Sequence, residues 1–198
     1  MTEPDPFQRL RGRGFHARRK VFKLFGNEIR VTDADGRLVC WAKQKAFRLR
    51  EDIRLYADEA RTREVLSIRA RNVIDFSGTY DVVDSATGRS HGSLRRKGWK
   101  SLLRDSWELW GPDERRIGTI TEDSQALAFL RRTVGGALVP QRFDFELGGR
   151  QVGTYRGHFN PFVFKGDYAP TVPPERELDP RLAVATVVLY LCVEGRQE

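Results

Sequence analysis

Between Lys20 and Asp167, apolar residues recur at every second position rather than at every third or fourth. In "EIRVTD", Ile29 and Val31 share one side of the chain, while Arg30 and Thr32 share the other. "DIRLYAD" repeats the pattern with Ile53 and Leu55, and "RFDFEL" with Phe143, Phe145 and Leu147. "TYDVVD", "SWELW" and "EVLSIRA" read the same way. A period of two sends alternate side chains to opposite faces of an extended chain, so each segment is a strand with one buried face. Turn signals separate the segments: Gly26-Asn27, "DADGR", "DSATGR", "GPDE" and "LGGR". Glycine in such turns supplies the positive φ that tight hairpins require. Roughly a dozen strands fit between these turns, at the spacing of all-β folds. An internal echo supports the same reading. "IRVTDADGR" through "IRLYADE" to "VLSIRA" is matched about fifty residues later by "YDVVDSATGR" through "WELWGPDE" to "RIGTIT", and a weaker third copy starts at "FDFELGGR". Each copy reads as two hairpins with a basic link between them.

The pattern changes in "DPRLAVATVVLYLCVEG", Asp179 to Gly195. The uninterrupted run from Leu182 to Val193 is 12 residues long and contains Thr186 and Tyr190. A membrane-spanning helix needs about 20 apolar residues, so this run is a buried core element with no transmembrane role. Its valines favour a strand, but its ends favour a helix from Pro180 to Glu194. Asp179 can cap it, Pro180 fits its first turn, and Gly195 stands where a C-terminal cap belongs. Leu182, Val184, Ala185, Val187, Val188, Leu189 and Leu191 leave this helix no polar stripe. A helix apolar all round has to be buried all round. Antiparallel strands cover it most economically by closing into a barrel, which also removes exposed sheet edges. The predicted fold is therefore all-β with one helix: a roughly twelve-stranded closed antiparallel β-barrel around a central hydrophobic C-terminal α-helix. "APTVPPERELD" is the proline-stiffened connector into it. Residues 1–19 are expected to be a basic, flexible arm, and residues 20–198 the barrel domain with its core helix at 180–194.

Charge refines this picture. Of the net +8 in this 198-residue chain, the surplus lies in residues 1–50, which hold 13 Lys/Arg against 5 Asp/Glu. No acid falls between Asp5 and Glu28. Such a block attracts nucleic acid or anionic lipid, or is simply a solvated arm. Cys40 and Cys192 stand far apart in apolar settings and read as buried hydrophobes rather than disulfide or zinc ligands. The N-terminus has no apolar signal-peptide core, and the expectation is a cytoplasmic protein, peripheral at membranes if it binds them.

The order "VFKLFG", "VTDADGR", "YDVVDSATGR", "LRRKGWKSLLRDSWEL", "GTITEDSQALAFLRR" and "DPRLAVATVVLYLCVEGRQ" resembles the LURP-one-related and phospholipid-scramblase-like group. The resemblance runs from about Lys20 to Gln197 and is most specific at Arg95-Arg96-Lys97 through Ser101-Leu102, Arg104-Asp105 and Trp107, and at the terminal helix. It implies the tubby-like fold, a twelve-stranded barrel around a hydrophobic C-terminal helix. It also implies anionic lipid head groups as a ligand class, since tubby proteins bind phosphoinositides through basic barrel residues. The chain departs from eukaryotic scramblases in having neither a proline-rich N-terminal region nor a cysteine-rich palmitoylation stretch.

"RRKGWKSLL" interleaves Arg95, Arg96, Lys97 and Lys100 with Trp99, as an interfacial lipid site does. Its alternative reading is a solvated link whose Trp99 packs on the barrel. "RGRGFHARRK" has the Arg, Gly and aromatic mixture of RNA-binding arms. "DADG" lacks the remaining ligands of a calcium loop and reads as a hairpin turn. Glu122 and Asp123 point to opposite faces of a strand and make a poor acid/base pair. His16, His91 and His158 share no metal spacing, and no P-loop, GxGxxG or GxSxG motif is present. These readings combine into a non-enzymatic scaffold or binding module for anionic lipid head groups, without cofactor or metal. Arg95, Arg96, Lys97, Lys100, Arg18, Arg19 and Lys20 are its candidate ligands. A nucleic-acid-binding protein using the Arg/Gly arm is the alternative, and an enzyme with an unrecognised site the next.

Overall fold

The computed structural model describes residues 5–22, 26–44, 52–71, 78–96, 106–122, 142–158 and 163–194. Among them are twelve strands and one α-helix. The strands are β1 (Phe15–Phe22), β2 (Gly26–Asp33), β3 (Leu38–Gln44), β4 (Ile53–Tyr56), β5 (Glu64–Ala70) and β6 (Thr79–Asp84). They continue with β7 (Ser90–Arg96), β8 (Ser106–Trp110), β9 (Arg116–Glu122), β10 (Arg142–Leu147), β11 (Arg150–His158) and β12 (Val163–Pro170). Each strand pairs antiparallel with its neighbour in sequence, and β1 pairs with β12 to close the barrel. The predicted fold class is the one observed.

The repeat seen in the sequence has a structural counterpart. Strands β2–β5 and β6–β9 each form two hairpins, and β10–β11 forms a fifth. All five carry a register shift: at Val31/Thr32, Leu55/Tyr56, Val82/Val83, Leu109/Trp110 and Phe145/Glu146. Bulges increase local twist and bend, which lets a short sheet curl into a barrel. The turns of equivalent hairpins use the same chemistry. Asp33 Oδ1 accepts the Asp35 and Arg37 amides at 3.0 and 2.9 Å. Asp84 Oδ1 accepts those of Ala86 and Thr87 at 3.1 and 2.8 Å. The "DADG" stretch is thus a hairpin turn, as the sequence indicated.

The core helix spans Pro180–Glu194, the bounds expected. Leu182, Val184, Val187, Val188 and Leu191 are all buried, as are Cys192 beside them and Cys40 on β3. Thr186 satisfies its hydroxyl by donating to the Leu182 carbonyl at 2.8 Å. Inward residues of the strands, among them Ile29, Val31, Ile53, Leu55, Phe143 and Phe145, complete the same core. Tyr155 and Tyr168 face each other across β11 and β12 and fill the space left by two glycines. A Cβ on Gly166 would collide with the Tyr155 hydroxyl, and one on Gly153 with that of Tyr168. Only glycine lets these rings lie flat along the inner wall.

One boundary differs from expectation. The barrel begins at Phe15, and a 3-10 turn at Pro6–Leu10 buries Phe7 and Leu10 in the core, so residues 6–19 are not a free arm. Two of their cations are engaged locally. Arg9 pairs with Asp33 at 3.0 Å and donates to the Leu38 carbonyl at 2.6 Å, and Arg13 grips Asp35 through both terminal nitrogens.

Val187 borders a small apolar void lined also by Trp107, Phe143, Tyr155 and Tyr190. Val187→Asp would set a carboxylate there without a cationic partner, at a cost of several kcal/mol. The melting temperature is expected to fall by at least about 10 °C. A value within a few degrees of wild type would show that this side of the helix is not enclosed.

Candidate anion-binding surface

Alternation along β1 divides the basic run "HARRK" between two environments. Phe15, Ala17 and Arg19 point inward, whereas His16, Arg18 and Lys20 are exposed. Arg19 is 1 % exposed, and its Nη1 donates to the Leu191 carbonyl at 2.7 Å while its guanidinium covers the Phe164 ring at 5.2 Å. A cation at the C-terminal end of a helix meets carbonyls without helical partners and the negative end of the helix dipole. Arg19 is therefore a structural residue of the core and is removed from the candidate ligands.

The other end of the helix is held by a matching set of groups. Asp179 Oδ1 accepts the Arg181 amide at 2.8 Å as an N-cap, and its Oδ2 lies 3.0 Å from His91 Nδ1. Burial disfavours the Asp179 carboxylate, but hydrogen bonds from His91 and the Arg181 amide outweigh it and hold its pKa below the ordinary value. Arg181 reaches across to Asp5 and stacks on Phe7 at 5.1 Å, which seats the N-terminal 3-10 turn against the barrel mouth. His91 thus serves this cap.

The outer wall of β2, β1, β12 and β11 carries a different arrangement. Arg18 lies opposite Arg30 on one side and Lys165 on the other, and Lys165 lies opposite His158. Four basic side chains thus form a transverse row over four strands. In the adjoining row, His16 faces Asp167, Asp167 faces Arg156, and Arg156 faces Arg142. Directly opposed side chains have Cβ atoms about 5 Å apart, and like charges in that relation destabilise a sheet. Arg30 is relieved by Glu59, and Arg142 by Asp144 at 3.4 Å. Arg18, Lys165 and Arg156 have no carboxylate partner among the described residues. Lys20 lies opposite Glu28.

Asp167 is the one acid in the middle of this ridge. Its two oxygens each meet a histidine at 2.5 Å, Oδ1 with His16 Nδ1 and Oδ2 with His158 Nε2. Burial works against its ionisation, yet the two histidine hydrogen bonds prevail and keep its pKa below the ordinary carboxylate value.

The second predicted cluster looks different. Arg95 on β7 is exposed, but it lies opposite Glu108 and over the Trp110 ring at 6.0 Å. Arg96 is half-buried at the end of the strand, opposite the buried Trp107. Lys97 and Lys100 lie outside the described residues. The structure therefore brings Arg18 and Lys20 together with Lys165, Arg156, His158 and Arg30, which sequence reasoning had not grouped, and separates them from Arg95 and Arg96.

The family model of the LURP-one-related proteins matches residues 39–191, from β3 into the last turn of the helix. The chain belongs to the LURP-one-related family. A solved structure of a protein from Arabidopsis thaliana shares its tubby-like fold, with a TM-score of 0.51 at 15 % identity over 96 % of each chain. The comparison with curated proteins gave no match. In this LURP-one-related chain the basic ridge straddles the edge of the family match: Lys165, Arg156 and His158 lie inside it, Arg18 and Arg30 outside. Among the described residues, no helix is long and apolar enough to cross a membrane, and no His/Cys/Asp/Glu group is arranged to hold a metal.

Because the Asp179 pKa is lowered on folding, its contribution is present above the ordinary carboxylate range and lost as pH falls through the folded value. Asp179→Ala is expected to cost about 1–2 kcal/mol at pH 7 by urea denaturation. The difference from wild type should narrow below about pH 4, and a constant gap would mean the carboxylate charge plays no part in the cap.

Proposed function

We propose that this LURP-one-related chain is a non-enzymatic binding module whose β2–β1–β12–β11 wall docks on anionic phospholipid surfaces. The observation that carries this reading is the ridge of opposed like charges. Arg18 faces a cation on both flanking strands, an arrangement that weakens the free barrel and is relieved when an anion lies over it. A membrane supplies many phosphates in one plane, and the ridge offers cations from four adjacent strands to it.

The nucleic-acid alternative loses much of its support, because most of the arm's cations are engaged by other groups of the protein and only Arg18 and Lys20 are left on the outer wall. Arg9 and Arg13 are paired, Arg19 is buried, and the Arg11 guanidinium donates to the Pro174 carbonyl at 3.4 Å. The indole that continues the row, Trp41 opposite Arg30 on β3, is buried beneath Arg61 and offers no face on which a base could stack.

Co-sedimentation with phosphatidylcholine vesicles containing phosphatidylglycerol tests the proposal. The triple variant Arg18→Gln, Lys165→Gln, Arg156→Gln is expected to bind on the order of 100-fold more weakly at low salt, at about 1 kcal/mol per engaged cation. Its melting temperature should stay within a few degrees of wild type, since the like charges removed around Arg18 are offset by loss of the Arg156 charge opposite Asp167. Arg95→Gln should change binding by no more than about twofold. Equal binding by wild type and the triple variant would overturn this assignment of the surface.

A further inference from the structure

The ridge contains a feature that docking on an anionic surface does not by itself explain: a carboxylate at its centre, held on both sides by histidines. Asp167 opposes the ridge's own charge. A site built only to collect anions would be stronger without it. The two rings that hold it come from β1 and β11, the strands on either side of β12, so the three groups form one chain across the middle of the surface. His16 and His158 are each about half exposed, at 54 % and 47 %, so solvent protons reach both.

Among the described residues, the surrounding charges include Glu28 on β2, opposite Lys20. On β1 they are Arg18 and, beyond it, Lys20; on β12, Lys165; on β11, Arg156. On β2, Arg30 is paired with Glu59, and on β10, Arg142 is paired with Asp144. In the segment leading into β1, Arg13 is closed on Asp35. The connection 159–162 contains no ionisable side chain. With both imidazoles neutral, the three unpaired cations Arg18, Lys165 and Arg156 stand against one carboxylate, a local charge of +2. Protonating both rings doubles it to +4. Histidine is the side chain that makes such a change between about pH 5 and 8.

We infer that His16, Asp167 and His158 form a proton-operated charge regulator that strengthens docking of this wall on anionic phosphodiester membranes as pH falls. This rests on the surface proposed above and adds the control of its affinity. With neutral rings, Asp167 offsets part of the ridge and the histidines contribute only hydrogen bonds. On acidification the same rings keep their grip on Asp167 and become cations, so the ridge gains charge without a change of fold. Linkage runs both ways: a membrane that favours the protonated rings draws protons onto them.

The test is vesicle co-sedimentation of the full chain at pH 5.5 and 7.5, bracketing ordinary histidine titration. Phosphatidylcholine vesicles containing phosphatidylglycerol are the probe, because the glycerol phosphodiester keeps a single charge over that range. Wild type is expected to bind about ten- to thirtyfold more tightly at pH 5.5, from two added cations near the surface. The double variant His16→Gln, His158→Gln should change its binding by less than about twofold between the two pH values. Asp167→Asn, which removes the opposing charge and keeps an acceptor, should bind more tightly than wild type at pH 7.5. Thermal melts at both pH values establish that each protein compared is folded, and a flat wild-type profile overturns the regulator whatever the variants do.

Wild-type binding that is equal at the two pH values overturns the regulator while leaving the surface in place. A steep pH dependence that persists in the double histidine variant also overturns it, by assigning the proton to another group. Displacement from vesicles by millimolar soluble glycerophosphodiester would overturn the membrane as the source of the anion. Absence of binding at either pH, even at low salt, removes the docking surface and its regulator together.

Discussion

A helix with no polar face is stable in water only when every side of it is covered, and this requirement organises the whole chain. One sheet face cannot enclose a cylinder, so the sheet has to close. Closure in turn demands curvature, which the bulges of five hairpins provide at one end of the barrel. Covering the sides leaves the two ends of the helix, where backbone groups lack helical partners. Asp179 with His91 serves one end, and Arg19 the other. Among the buried polar side chains, Arg19 and Thr186 bond carbonyls of the helix itself.

Much of this was legible in the sequence because the signals are local. The helix bounds followed from a capping aspartate, a proline at the first turn and an apolar run, and they match the structure. The strands followed from a period of two. The first strand was hidden because an arginine occupies an inward position: "FHARRK" alternates correctly, but Arg19 reads as one more surface charge. Nothing within the segment announces that Arg19 will meet the Leu191 carbonyl, 172 positions away.

The candidate surface was harder to see for a related reason. Arg18 and Lys20 were visible as basic residues, yet their significance depends on lying beside Lys165 and, through it, His158. Barrel closure implies that the first and last strands meet. It does not fix their register, and a shift of one residue would place Arg18 opposite an inward-facing neighbour. The cluster at Arg95 and Arg96 was the more conspicuous in sequence because its charges are contiguous. Contiguity along a strand disperses side chains over two faces, whereas the ridge gathers its charges from different strands onto one face.

The position of the helix at the end of the strand order also shapes how the molecule is made. Twelve strands are synthesised before the element their inner faces pack against, and Phe15 waits for Tyr168 some 150 residues later. Such distant pairing raises contact order, and folding slows accordingly. Until the helix is threaded in, the apolar faces have only one another, and their unpaired edges are open to other chains. Acquisition of the native state is thus concentrated in a single late step. The nascent barrel spends its early life as a sheet in need of protection, and its chief hazard is aggregation before that step rather than unfolding after it.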